Sequence, residues 1–119
     1  MTYIDGFVVP VPKKNLPAYR ALARKAGKVW REHGALEVKE CVADHVEVGK
    51  WTSFPRAVKL KRGETVVFSY IVYRSRKHRD AVNAKVQADP RMAKMILGQA
   101  VPFDGKRMIW GGFKVFVSV

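Results

Sequence analysis

Apolar residues alternate with other residues near both ends of the chain, and the two stretches share a short pattern. Residues 6–11 (GFVVPV) and residues 112–117 (GFKVFV) both fit Gly-Phe-x-Val-x-Val. Alternation with period two is typical of β-strands, so we predict strands over residues 3–11 and 108–119. Helical periodicity between them predicts one sheet domain whose first and last strands are structural partners.

The most regular helical pattern covers residues 16–33. Its apolar positions fall on one face and four basic residues on the opposite face, namely Tyr19, Leu22, Ala26, Val29 and Trp30 against Arg20, Arg24, Lys28 and Arg31. Such a stripe is typical of a helix that packs on a sheet. We expect Asn15 to cap the start of this helix and Gly34 to end it.

Two further strands and a second helical region complete the pattern. Residues 36–43 alternate between apolar and polar positions. Residues 65–73 are largely apolar on both sides, which predicts a central strand covered on both faces. Ser75 is expected to cap a helix that runs to residue 88, and a short helix is expected over residues 89–98.

The predicted order is β-α-β-β-α-β, an α+β fold with a ferredoxin-like antiparallel sheet, in a single domain over residues 1–119. Helices cover only one face of such a sheet. The other face carries Phe, Tyr and Trp side chains and is too apolar to be left to water. We therefore expect a two-fold homodimer in which two sheets face each other and close a barrel.

The segment over residues 44–63 is long for a loop in a compact domain, and loops of this length are usually functional or disordered. It contains Trp51 and Phe54 among basic residues, and Val58 indicates that it is packed. It is interpreted either as a lid over an aromatic or anionic ligand or as an arm that locks the dimer. We prefer the arm, because aromatic anchors are common at interfaces and need no ligand.

The charge of the chain is strongly unbalanced. Lysine and arginine number 23 against 10 acidic residues, and the net charge is +13. Such a charge attracts nucleic acids and acidic ligands, although it measures attraction rather than specificity. The basic stripe of the first helix lacks the interleaved exposed aromatics that single-strand binders use. Polyanion or nucleic-acid binding is therefore our alternative function, and solubility is a third explanation of the charge.

The cysteine content and the absence of long apolar runs bear on the compartment. The single cysteine, Cys41, cannot form an intrachain disulfide and suits a reducing environment. The first residues lack the basic and apolar regions of a signal peptide, and no apolar run approaches the ~20 residues of a membrane span. We therefore expect a cytoplasmic protein that is not in a membrane. No metal ligands occur at a characteristic spacing, and the residues indicate no particular cofactor.

Two residues are candidates for catalysis. His78 shares a helix stripe with Val82 and Val86 that is expected to face the sheet, and histidine can act as acid, base or ligand near neutral pH. Asp5 interrupts an apolar strand, and a buried carboxylate is costly unless it is paired, with His78 or an arginine as the expected partner. The structural alternatives are a histidine that bonds its own helix terminus or packs in the core, and an aspartate that forms an ion pair at the sheet edge or stays wet near the strand's N-terminus.

Six further residues are candidates for ligand binding: Tyr70, Trp51, Phe54, Arg74, Arg76 and Arg79. We expect Tyr70 to share a pocket between sheet and helices with the two catalytic candidates. The arginines lie at the start of the second helix, where an anion would neutralise both their charge and the positive end of the helix dipole. Alternatively, these long side chains extend into water. A small aromatic or anionic molecule is the preferred ligand, but the residues do not name a reaction.

Four stretches carry a resemblance to a known family: residues 52–58 (TSFPxAV), 74–83 (RSRxHRDxVN), 89–92 (DPRM) and 102–108 (PFDGKRM). Together they resemble the uncharacterised bacterial YbaA-like family, domain of unknown function 1428, over essentially the whole chain. What the resemblance implies is a dimeric α+β barrel and very little about chemistry. Some members carry a name that refers to signal-recognition-particle RNA, but no RNA-binding motif supports that name here.

The wider superfamily that this resemblance implies includes small monooxygenases, haem-degrading oxygenases, lactone isomerases and dehalogenase-like proteins, with pockets generally between sheet and helices. Haem-degrading members place a histidine on the helix that corresponds to that of His78 and an amide residue early in the first strand. Here that strand offers the carboxylate of Asp5, which departs from their pattern. A likeness of fold does not assign a reaction.

Overall fold

The computed structural model describes residues 1–96 and 101–119. A short 3₁₀ turn, Lys13–Asn15, separates the first strand from the first helix. In chain order the elements are β1 (Tyr3–Pro12), α1 (Leu16–Glu32), β2 (Glu37–Val42), α2 (Phe54–Ala57), β3 (Glu64–Tyr73), α3 (Arg76–Ala88), α4 (Pro90–Ile96) and β4 (Ile109–Lys114).

The four strands form one antiparallel sheet in the order β2-β3-β1-β4. This confirms the predicted α+β class, and the order is consistent with a ferredoxin-like sheet. The first and last strands are direct neighbours, as the shared pattern predicted. The register places Asp5 on β1 opposite Ile71 on β3 and Gly112 on β4.

The helices α1 and α3 cover one face of the sheet, which we call the helix face. Because side chains alternate along a strand, Tyr3, Asp5 and Phe7 of β1 all point to this face. The main core cluster there contains Tyr3, Val29, Ala35, Ile71, Tyr73, Val82 and Val86. Burial of this apolar surface against α1 and α3 is what holds the helices on the sheet.

The opposite face of the sheet, which we call the open face, is covered at one end only by the residues that the structure describes. There Val58, just after α2, packs on Val8 of β1 and Val66 of β3. Further along the same face Phe68, Ile109 and Phe113 are 42%, 44% and 63% exposed. The prediction that residues 65–73 are covered on both faces therefore holds only for the first part of β3.

Two predictions at the ends of elements differ from the structure, and a third is not tested. The last strand ends at Lys114 instead of residue 119, although the Val115 amide still donates to the Thr2 carbonyl. Asn15 does not cap α1 with its side chain, because its amide donates instead to the Pro102 carbonyl at 3.4 Å. The end of the helix predicted over 89–98 lies outside the described residues.

One predicted helix cap is present, and the structure adds a short helix that the sequence did not predict. Ser75 caps α3, since its hydroxyl accepts a hydrogen bond from the His78 amide at 3.0 Å. The long segment over 44–63 contains α2, which Ser53 caps in the same way. None of the described helices has both the length and the apolar character that crossing a bilayer requires.

Candidate functional site

Asp5 is the one acidic residue on the helix face of β1, and its side chain is only 3% exposed. Its nearest charged partner is Arg79 of α3, whose Nη1 lies 3.4 Å from Asp5 Oδ1. Within the described part of the chain, Oδ1 accepts no hydrogen bond. A buried carboxylate oxygen without a donor is energetically costly, and it marks a place where a ligand can supply one.

Arg79 is held by aromatic and acidic neighbours on three sides. Its Nη2 donates to the Tyr3 hydroxyl at 3.2 Å, and the guanidinium lies over the Tyr3 ring, 5.1 Å from the centroid. Its Nε lies 3.0 Å from Asp80 Oδ1, but not in hydrogen-bonding geometry. The guanidinium is therefore fixed beside Asp5 by contacts that do not depend on Asp5 alone.

Asn83 organises the other side of the carboxylate. Its Oδ1 accepts hydrogen bonds from the Tyr73 hydroxyl at 3.2 Å and from Trp30 Nε1 at 3.1 Å. The two donors come from β3 and α1, so Asn83 links the sheet to both long helices. A network of this kind restricts the rotamers of every member and gives the site a defined shape.

Burial raises the pKa of Asp5 above its ordinary value. The Arg79 charge opposes this shift, and so do the Asn83 and Tyr73 side chains, but the loss of water around the carboxylate dominates. Burial, together with the nearby Asp5 charge, also raises the pKa of the Tyr73 hydroxyl. Tyr73 is therefore a neutral hydrogen-bond donor at physiological pH, beside a carboxylate that accepts protons readily.

A cavity of about 450 Å³ opens beside Asp5, between the sheet and the helices. Its walls are largely aromatic and sulfur-containing, and they include Phe7, Trp30, Met92, Met108 and Trp110. The rings of Phe7 and Trp110 stack with their centroids 6.4 Å apart. Among the described residues, three polar side chains contribute to the lining: Asp5, Asn83 and Gln87.

The site is thus an apolar cavity with convergent polar groups at one end. Across residues 1–96 and 101–119, no group of three or more His, Cys, Asp or Glu residues is placed to hold a metal ion. The cavity volume falls in the range of small-molecule sites, roughly 300–1,000 Å³.

Comparison with known proteins places the chain in a family. The family model described as "Protein of unknown function (DUF1428)" matches residues 2–105. The chain belongs to the DUF1428 family.

Several relatives span the whole chain. It is 50% identical over 118 residues to "Uncharacterized protein YbaA" of Escherichia coli strain K12, an alignment that covers 99% of both chains. The YbaA protein of Shigella flexneri matches with the same identity and coverage. Among solved structures, the chain matches the de novo designed protein Foldit4 with a TM-score of 0.47 and 11% identity, over 96% of this chain and 98% of the designed one.

In this DUF1428 protein His78 lies apart from the cavity. Its Nδ1 accepts a hydrogen bond from the Arg74 amide at 3.0 Å, and its ring meets Tyr73 edge-on at 6.0 Å. Burial, and then the Arg74 charge, lower the pKa of His78. These contacts match the structural alternative, a histidine that bonds its own helix terminus. The charged partner of Asp5 is Arg79 and not His78.

The other predicted ligand-binding residues of this DUF1428 protein are dispersed. Tyr70 pairs with Gly6 in the register and so points to the open face, away from Asp5. Arg74 and Arg76 are exposed, whereas Arg79 turns inward, so the predicted cluster of three arginines is divided. Trp51 is 86% exposed, and Phe54 contacts Phe68 on the open face with ring centroids 6.2 Å apart.

Sequence reasoning missed the aromatic and amide part of the site: Trp30, Tyr73, Asn83 and Trp110. One signal was available, because Arg79 and Asn83 are four residues apart and share a helix side. That spacing, together with the neighbouring Val82 and Val86, predicts a polar pair facing the sheet. The contribution of Tyr73 and Trp110 depends on the strand register, which no local pattern specifies.

Proposed function

We propose that this protein binds a small aromatic molecule that carries a hydroxyl or amino group in the cavity beside Asp5. The observation that supports the proposal is a buried carboxylate at the end of an apolar, aromatic cavity, whose Oδ1 lies beside Arg79 but receives no hydrogen bond from the described residues. A ligand hydroxyl or amine would satisfy that acceptor, and the rings of Phe7, Trp30 and Trp110 would contact the rest of the ligand.

The chemistry that Asp5 supports is acceptance of a proton or a hydrogen bond. Its pKa is raised by burial, which makes the carboxylate a stronger base than an exposed aspartate. Arg79 balances the charge, and Tyr73 and Asn83 fix the position of the polar end. A hydroxyl bound to Asp5 is thereby activated for proton transfer, which is the reaction class we propose if the ligand is converted.

The first experiment is ligand-observed NMR with a panel of phenols and anilines as probes, each paired with its methylated analogue that lacks the donor. We expect the donor-bearing probes to bind and the methylated analogues to bind about 10-fold more weakly, because they leave the acceptor unsatisfied. In Asp5→Asn this preference should shrink, whereas in Asp44→Asn, an exposed carboxylate, it should remain. Equal binding of both probe classes would contradict the role of Asp5.

The stability of Asp5→Asn separates loss of binding from loss of fold. Because the folded-state pKa of Asp5 is raised, its contribution to stability is fully present below the ordinary pKa of 3.8 and is lost as the pH rises through the folded pKa. Asparagine is neutral at every pH, so the variant keeps at pH 7 the contribution to stability that the protonated Asp5 makes only at low pH. We therefore expect the unliganded variant at pH 7 to be at least as stable as the parent chain.

We also propose that two copies of the chain pair through their open faces. Phe68, Ile109 and Phe113 form an exposed apolar surface there, larger than single scattered residues would make. The segment 44–53 is the arm that would extend this contact, with Arg56 holding it by donating from Nε to the Gly49 carbonyl at 3.0 Å. A two-fold pairing would cover both exposed faces at once.

A further inference from the structure

A second, larger cavity lies between α1 and β2, on the same side of the sheet as the Asp5 site but lined by different residues. It is a groove of about 1070 Å³ that is open along the sheet edge. Its floor is mostly small and aliphatic: Ala23, Gly27, Val38, Val42 and Val67. Val38 lies against Gly27, since a Cβ at Gly27 would meet Val38 Cγ1 at 3.4 Å.

One wall of the groove carries a row of cations from α1: Arg20, Arg24, Lys28 and Arg31. Within the described residues the first three form no ion pair. Arg31 donates to the carbonyls of Ala35 and Leu36 at the end of the connection between α1 and β2. Arg20, Arg24 and Lys28 therefore present positive charge along the helix, with no carboxylate of the described residues within ion-pair distance.

The two acidic residues that line the groove are already engaged. Tyr19 donates its hydroxyl hydrogen to Glu40 Oε1 at 2.7 Å, and Glu32 accepts from Arg91 Nη2 at 2.6 Å. The charge of Glu32 is balanced by Arg91, whereas the Tyr19 hydroxyl is neutral and leaves the negative charge of Glu40 in the groove. An occupant of the groove would meet uncompensated arginine and lysine side chains.

The opposite wall is β2, an edge strand that pairs with β3 and with no other strand of the described residues. Its outer side presents backbone N–H and C=O groups without a strand partner, which is the template that peptide-binding domains use to add a strand. A strand added beside β2 would lie beneath α1, and every second side chain would point toward the helix.

We propose that this groove binds an extended acidic peptide segment as a fifth strand beside β2. The spacing supports the match, because side chains on one face of a strand repeat every ~6.7 Å and helix residues four apart are separated by ~6 Å along the axis. Acidic side chains at alternate positions of the peptide therefore face Arg20, Arg24 and Lys28 in turn. The peptide side chain next to Glu40 is uncharged.

The composition of the groove favours a peptide over other anions. A lipid with one acyl chain and one acidic headgroup would contact the cations at one end of the groove. The cations, however, extend along the whole of α1. Single-stranded nucleic acid binds through stacking on exposed aromatic rings. The one aromatic side chain among the lining residues is Tyr19, which is buried and bonded to Glu40.

The test is fluorescence anisotropy at low salt with a labelled decapeptide that alternates glutamate and threonine. We expect saturable binding that weakens by about 10-fold or more in the double variant Arg24→Glu, Lys28→Glu. The matched control is Arg62→Glu, Arg76→Glu, which changes the net charge equally at exposed positions away from the groove and should keep the affinity of the parent chain.

Two further probes decide between occupants. A decapeptide that alternates glutamate and proline has the same charge but cannot pair as a strand, so it should bind more weakly. Equal affinity for it, or no binding of the threonine peptide, overturns the proposal. Tighter binding of a ten-nucleotide oligothymidylate, lost in the same groove variant, overturns it in favour of nucleic acid.

Discussion

Asp5 and Gly112 show how single residues shape the site. Asp5 would be an ordinary carboxylate in water, but its position on the covered face of β1 removes solvent and raises its pKa. Gly112, directly opposite in the register, has no side chain and so leaves room for the Tyr3 ring beside it. Tyr3 in turn accepts a hydrogen bond from Arg79, the charged partner of Asp5.

The substitution Gly112→Ala should therefore disturb the site as well as the strand. A Cβ at this position would lie 2.8 Å from Tyr3 Cζ, and Tyr3 is buried and cannot move away freely. We expect a loss of about 1–3 kcal/mol in the free energy of unfolding, as for other overpacked positions. Chemical denaturation measures it.

Gly111→Ala is the matched control one residue earlier. Its Cβ would point to the open face, 3.4 Å from Cε1 of the exposed Phe113, which can adjust. The free energy of unfolding should change by no more than about 0.5 kcal/mol. Equal losses in the two variants would mean that the contact with Tyr3 is not the cause.

At the scale of elements, buried ion pairs connect segments that are distant in sequence. Arg107, just before β4, binds both carboxylate oxygens of Glu64 at the start of β3, with distances of 2.8 Å and 2.6 Å. The same guanidinium donates to Asp104 Oδ2 at 2.9 Å. These bonds hold the turn before β4 against the start of β3, and both side chains of the main pair are largely buried.

The ion pair between Glu64 and Arg107 predicts that the protein loses stability in acid. The hydrogen bonds from Arg107 lower the pKa of Glu64 below its ordinary value of 4.5. Its contribution to stability is therefore present above pH 4.5 and is lost as the pH falls through the lower folded-state pKa. In Glu64→Gln we expect the Tm at pH 7 to fall by several degrees and its decline in acid to become shallower.

The comparison variant is Glu47→Gln, at an exposed glutamate in the segment after β2. It should reproduce the Tm and the acid profile of the parent chain in thermal melts followed by circular dichroism. If Glu64→Gln also leaves both unchanged, the pair with Arg107 contributes nothing measurable to the fold.

At the scale of the whole molecule, the sheet divides two kinds of surface. The helix face contains the core, the Asp5 cavity and the basic groove, whereas the open face exposes aromatic and aliphatic side chains. The net charge of +13 keeps separate molecules apart, so an apolar contact between copies must overcome that repulsion. Higher salt would therefore strengthen the pairing we propose.

The dimer proposal predicts a mass of twice the 13.5 kDa chain in light scattering coupled to size exclusion. The double variant Phe68→Glu, Phe113→Glu should be a folded monomer, because charges on the open face cannot be buried against a second copy. Leu36→Glu, at an exposed apolar residue outside the strands, should remain dimeric. A parent chain that is monomeric at micromolar concentration would contradict the proposal.

Much of the fold followed from local pattern. The alternation in residues 3–11 and 65–73 and the helical stripe over 16–33 correspond to β1, β3 and α1 within a few residues. Asp5 was identified as unusual because a carboxylate within an apolar strand violates the expected pattern. The placement of Tyr70 beside it was wrong, because residues 70 and 71 of one strand point to opposite faces and only Ile71 shares the face of Asp5.

The sequence by itself determined the four strands, the helices α1, α3 and α4, their order and the uncovered apolar face, because these depend on periodicities of two and 3.6 residues that are local to the chain. It did not predict the short helix α2. Only the tertiary structure decided which polar residues meet. Asp5, Tyr73 and Asn83 come together through the antiparallel register of β1 with β3 and the packing of α3 on that pair. The register and the packing result from burial of the whole core, so no short stretch of sequence contains them.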